Sequence, residues 1–141
     1  MIGMRASIVS VEWSSGEPVY EQIARQIRAQ VVAGELAVGA PLPSVRLLAS
    51  DLGVNLNTVA RAYRLLEQEG FVTIRHRSGA EVAAPAAHPE ASATDRLRGE
   101  LRGVLARLRQ AGVPHEEIRR TAEQEIAALT PRPGGEGGPN R

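Results

Sequence analysis

At 141 residues the chain has room for one ordinary domain and a small appendage, and the absence of cysteine excludes disulfides and thiolate metal sites. Aromatic residues make up only 3% of it, so a core must be built from Leu, Ile, Val and Ala. A formal charge of +1 names no partner, and neither a membrane span of ~20 apolar residues nor a secretory leader is legible, so a cytoplasmic protein is expected.

In chain order, residues 6–13 carry Ile8, Val9 and Val11 and suggest a short strand, closed by the turn Ser14-Ser15-Gly16. Pro18 suits a first helical turn, and Tyr20, Ile23, Ile27 and Val31 recur on one face, predicting a helix over 18–33 that stops at Gly34. Gly39-Ala40-Pro41-Leu42-Pro43 reads as a turn. Ser44 then caps a short helix with Val45, Leu48, Ala49 and Leu52, ended by Gly53. Asn55 caps a third helix whose inner face is Val59, Ala62, Leu65 and Leu66, ending near Gly70. Two short helices across a tight glycine turn form a helix-turn-helix.

Residues 71–75 read as a strand, His76-Arg77-Ser78-Gly79 as a turn and 80–84 as a returning strand, which together make a wing. The Ala-, Pro- and Ser-rich stretch 85–93 is a linker. Thr94 or Ser92 caps a fourth helix with Leu97, Leu101, Val104, Leu105 and Leu108 on one side. Gly112 stops it, and Pro114 starts a fifth helix with Ile118, Ala122, Ile126 and Leu129. Residues 130–141 are Pro/Gly-rich and expected to be disordered. The expected fold is α+β but mostly α. A winged helix-turn-helix DNA-binding domain, 1–84, precedes a two-helix dimerisation hairpin, 94–129. The apolar stripes of its helices have too little chain nearby to bury them, so a homodimer is expected.

Every basic side chain is arginine, whose fork suits phosphate and guanine, although a GC-rich genome gives the same composition. Residues 1–84 hold eight arginines and eight carboxylates, so recognition has to rest on placement. The third helix presents Asn57, Thr58, Arg61 and Arg64 opposite its inner face, next to the Asn55 cap. Asn57 and Arg61 lie one turn apart, and Asn pairs with adenine as Arg does with guanine. Any solvated helix face also carries polar residues; the helix-turn-helix context favours DNA. Arg46 sits in the first turn of the second helix, where the helix dipole disfavours a cation. Either a phosphate or a carboxylate such as Asp51 compensates it. Ser44 leaves N–H groups that bind phosphate, and Arg75, His76, Arg77 and Gly79 belong to the wing.

These features occur in a familiar order. The run Pro18-Val19-Tyr20-Glu21-Gln22-Ile23, then Gly34-Glu35-Leu36, Leu42-Pro43-Ser44-Val45-Arg46 and Leu48-Ala49, opens the pattern. Val54-Asn55-Leu56-Asn57-Thr58-Val59, Arg61-Ala62-Tyr63 and Leu66-Glu67-Gln68-Glu69-Gly70 continue it. Residues 6–83 resemble the GntR family of transcription regulators. The resemblance implies a winged helix-turn-helix in which Arg46, Thr58, Arg61 and Gly79 meet DNA. The short two-helix C-terminal part resembles the YtrA-like subfamily, which implies dimerisation through those helices and a repressor acting on two-fold operator DNA. The wing departs from the family pattern: Arg77 replaces a glycine and Glu81 an aromatic residue.

The alternative is a winged-helix protein–protein interaction module without specific DNA readout. An enzyme is not expected: His76, His88 and His115 are scattered, and no paired carboxylates or phosphate loop accompany them. No cofactor, membrane partner or small-molecule effector is expected, since two short helices offer a dimer seam but hardly a separate ligand cavity.

Overall fold

The computed structural model describes residues 8–75 and 79–129. The chain divides into two compact units, one reaching to Pro85 and one beginning at Ala86.

In the first unit, α1 (Val19–Val32) starts after Pro18, whose φ of −55° already suits a helix, and Glu21 meets the positive end of its dipole. It buries Gln22, Ile23, Ala24 and Ile27, and Gly34 takes the left-handed conformation (φ 79°) that turns the chain away. α2 (Val45–Leu52) is capped by Ser44, whose Oγ accepts from the Leu47 N–H at 3.0 Å. Gly53, at φ 69°, makes the tight turn into α3 (Leu56–Gln68), where Asn55 Oδ1 accepts from the Asn57 N–H at 2.7 Å. Strands β2 (Val72–Arg75) and β3 (Gly79–Val82) form the wing. The core joins Ile23 and Ile27 of α1, Leu48 of α2, Val59, Ala62, Tyr63 and Leu66 of α3, and Val72 and Val82 of the wing.

Four expectations are corrected in this unit. Residues 8–13 are not a strand. Among the described residues no strand lies beside them; a ladder of glutamine amides on α1 takes that place. Gln30 Nε2 donates to the Ile8 carbonyl at 2.6 Å, and Gln26 exchanges two bonds with the Ser10 backbone at 3.0 and 2.7 Å. Gln22, only 2% exposed, does the same at Glu12 and also donates to the Glu17 carbonyl at 2.8 Å. Residues 6 and 7 lie outside the described residues. The supposed turn 39–43 contains a two-residue strand, β1 (Pro41–Leu42), giving the antiparallel order β1-β3-β2. Proline is tolerated there because β1 is an edge strand. The inner face of α3 includes Tyr63, whereas Leu65 is only half-buried. Finally, the wing strands begin one residue later (β2) and one earlier (β3) than expected, and Gly79, at φ 87°, opens β3 opposite Arg75.

In the second unit, α4 (Ala91–Gln110) begins inside the stretch expected as linker. Glu90, not Ser92 or Thr94, is its N-cap position, without a side-chain capping bond, and the Ser92 hydroxyl donates to Glu90 Oε1 instead. Ala and Ser are compatible with a helix even where they read as linker composition. Gly112 (φ 95°) and Pro114 turn the chain into α5 (His115–Ala128). Neither helix has a buried residue. Leu105, Leu108, Ile118 and Ala122 are half-buried, but Leu97, Leu101 and Ile126 are 61%, 58% and 63% exposed, and Val104 is exposed as well. An apolar stripe left this open in a folded chain lacks a covering surface. No helix among the described residues is long and apolar enough to cross a membrane.

Candidate nucleic-acid interface

The core-facing stripe of α3 forces its opposite side outward. Asn57, Arg61 and Arg64 are exposed there, Asn55 is exposed at the cap, and Thr58 is half-buried at the border. Arg46 and Ser44 are exposed at the start of α2. Among the described residues no carboxylate pairs with Arg46, so the Asp51 alternative drops out and the cation stays against its helix dipole, free to meet an anion.

A cleft of about 440 Å³ runs between α2, α3 and the wing. Leu56, Ala60 and Ile74 line it together with Arg46, Arg64 and Arg75, and Ser44 and Gly79 reach it from either side. The fold thus brings together residues spread over 36 positions of sequence. Arg61 is not among them. Its guanidinium carbon lies 3.8 Å from the centroid of the Tyr20 ring, in a second groove between α1 and α3 that Arg64 also lines.

The two glutamates at the far end of α3 are occupied. Glu67 Oε2 accepts from the Ile74 N–H at 3.0 Å, tying the wing to α3. Glu69 pairs at 2.7 Å with Arg28, which also lies 5.6 Å from the Phe71 ring centroid. On the wing, Arg75 pairs with Glu81 at 3.0 Å across the β2–β3 ladder. The hydrogen bond from Arg75 and then its charge hold the Glu81 carboxyl below its ordinary range, and the same pairing raises Arg75. The Glu81 departure in the sequence therefore has a structural meaning: it draws off one wing cation. Gly79 is half-buried, and a Cβ there would stand 4.0 Å from the Leu42 carbonyl. His76 and Arg77 lie outside the described residues.

Sequence reasoning missed Tyr63 as part of the inner face. Its hydroxyl donates to the Pro43 carbonyl at 2.6 Å, fixing α3 to the segment that leads into α2. Burial pushes its phenol well above the ordinary range. The signal was present, since Val59, Ala62, Tyr63 and Leu66 fall on one helical stripe. The Tyr20–Arg61 and Arg75–Glu81 contacts join separate elements and left no such trace. Among the described residues no group of three or more His, Cys, Asp or Glu side chains could hold a metal ion.

Comparison with known proteins agrees with this geometry. Residues 19–82 match the family described as bacterial regulatory proteins, gntR family. The chain is 35% identical over 107 residues to the uncharacterized HTH-type transcriptional regulator YhcF of Bacillus subtilis, covering 76% of this chain and 88% of that protein. It is 41% identical over 71 residues to the HTH-type transcriptional repressor YtrA of the same organism, covering half of this chain and 55% of that one. Among solved structures it is similar to a transcriptional antiterminator from Listeria monocytogenes EGD-e, with a TM-score of 0.76 and 30% identity over 95% of this chain and 98% of the other. Helix-turn-helix, wing and sequence match converge: the chain belongs to the GntR family of bacterial regulatory proteins, as a DNA-binding transcriptional regulator with YtrA-like relatives.

Proposed function

We propose that the chain is a cytoplasmic repressor that binds a two-fold operator as a homodimer. Residues 1–84 would grip DNA and residues 94–129 would join the protomers. The observation that carries the DNA contact is the side of α3 bearing Asn57, Arg61 and Arg64, adjoining the uncompensated Arg46 and the cleft below the wing. In this reading α3 enters the major groove, Asn57 and Arg61 face base edges, and Arg46, Arg64 and the α2 N-terminus near Ser44 hold phosphates. Asn55 and Thr58 flank the base-reading pair, and on the wing His76, Arg77 and Gly79 meet the adjacent backbone, which Arg75 would join on release from Glu81.

The exposed stripe Leu97, Leu101, Val104 and Ile126, continued by Leu105, Leu108, Ile118 and Ala122, supports the dimer, because a second copy offers the same apolar surface by symmetry. The similarity to a protein named a repressor supports the direction of regulation. The 440 Å³ cleft is large enough for a small ligand and most of its lining residues are apolar, but Arg46, Arg64 and Arg75 also line it, and a small-molecule effector is not part of the proposal.

The test is a mobility-shift titration against salt, using duplexes selected from a random pool by the purified protein. Two protomers that each engage phosphate through Arg46 and Arg64 give a slope of about −3 to −4 for log K against log salt. The selected sequence should be palindromic. A flat slope with no selected sequence would defeat the proposal.

A further inference from the structure

We propose that Tyr20 is a positioning residue for base reading: its ring is a platform that holds the Arg61 guanidinium at the surface where α3 meets DNA. The proposal rests on the reading above that Arg61 faces a base. Tyr20 stands in the first turn of α1, and the guanidinium carbon of Arg61, on another helix, lies 3.8 Å from its ring centroid. That is van der Waals contact, well inside the ~6 Å at which a cation over an aromatic face is attracted.

The geometry of the guanidinium decides what this contact leaves free. Stacking uses the flat face of the group, whereas its N–H donors point outward in the plane along the rim. Bidentate pairing with guanine O6 and N7 uses that rim. A stacked arginine therefore keeps its base-reading edge available. Arg75 shows the opposite arrangement, with one rim donor, on Nη2, already engaged by Glu81 at 3.0 Å. Among the described residues no carboxylate pairs with Arg61, so the Tyr20 ring is the group that restrains it. The platform is itself held: Tyr20 is half-buried and packed against the core. None of the hydrogen bonds among the described residues uses its hydroxyl, so the ring alone performs the role. Arg64, on the same side of α3, stacks on no ring among the described residues and pairs with no carboxylate there. Restraint before binding spares Arg61 the ordering that a free long side chain undergoes at an interface.

The test is a double-mutant cycle on the full chain, using the selected palindromic duplex and variants of it changed at single base pairs. Arg61→Ala should abolish discrimination at one position of each half-site. Tyr20→Leu should lower discrimination at that same position about two- to fivefold, the strength of an exposed cation–π contact, with the salt slope unchanged. Tyr20→Phe should retain it, and Tyr20→Leu should have no further effect in the Arg61→Ala background. A Tyr20→Leu loss that persists in that background, or an equal loss in Tyr20→Phe, would overturn the platform while leaving base reading by Arg61 intact. If Arg61→Ala changes no base preference, both ideas fall. The contact also has a readout independent of how the variants fold: in wild-type protein the Arg61 side-chain protons should show upfield ring-current shifts by NMR. Their absence would overturn the proposal.

Discussion

Tyr63→Phe removes one oxygen atom from the structure and leaves the ring, which is 2% exposed, in place. What is lost is the 2.6 Å bond from the hydroxyl to the Pro43 carbonyl. A neutral hydrogen bond contributes about 0.5–1.5 kcal/mol, and a buried acceptor left without a donor adds up to about 1–3 kcal/mol. Pro43 is half-buried, so water recovers part of the second amount, and a net loss of about 1–2 kcal/mol is expected. In a unit of this size each kcal/mol moves the melting temperature by roughly 4–8 °C, so a fall of roughly 5–15 °C should appear by circular dichroism. The pH dependence gives a second handle. Burial disfavours the phenolate, so the folded state holds the phenol proton more tightly than the unfolded state; stability is unaffected below about pH 10, the ordinary tyrosine range, and falls as pH rises beyond it. Wild type should therefore lose stability above about pH 10 more steeply than Tyr63→Phe. A variant melting within about 1 °C of wild type at neutral pH would refute the reasoning, since a satisfied buried donor cannot vanish at so small a free-energy change.

Arg61→Ala should cost about 1–3 kcal/mol and relax preference at one position of each half-site, whereas Arg46→Ala should weaken all sequences evenly and lower the salt slope by about one unit per protomer; base-selective loss in Arg46→Ala would reverse the assigned roles. Glu81→Gln should release Arg75 to phosphate, tightening binding at low salt and steepening the slope by about one unit per protomer, and an unchanged slope would place Arg75 away from DNA. Leu101→Glu combined with Leu105→Glu should yield monomers by light scattering, and a persisting dimer of unchanged stability would remove α4 from the interface.

Much of the fold was legible from local chemistry. Ser44 and Asn55 are cap residues followed by apolar spacing, and Gly53 supplies the left-handed turn between the two helices, so the helix-turn-helix could be read within a window of some 25 residues. The wing followed from β-branched residues around a glycine. The same signals placed Asn57, Arg61 and Arg64 on the outer side of α3, because once Val59, Ala62 and Leu66 face inward a helix leaves them nowhere else to go. What chain order could not convey is what each side chain meets. Residues 8–12 have strand composition, yet Gln22, Gln26 and Gln30 satisfy their backbone, and those amides belong to a helix. Pro41 and Leu42 read as turn until β3 lies beside them. Arg61 and Arg75 look alike in sequence; one rests on a ring with its donors free and the other is held by a carboxylate. Caps, periods and turns act over a few residues and are written locally, whereas pairing partners are chosen by packing between distant segments, and only the tertiary structure decides them.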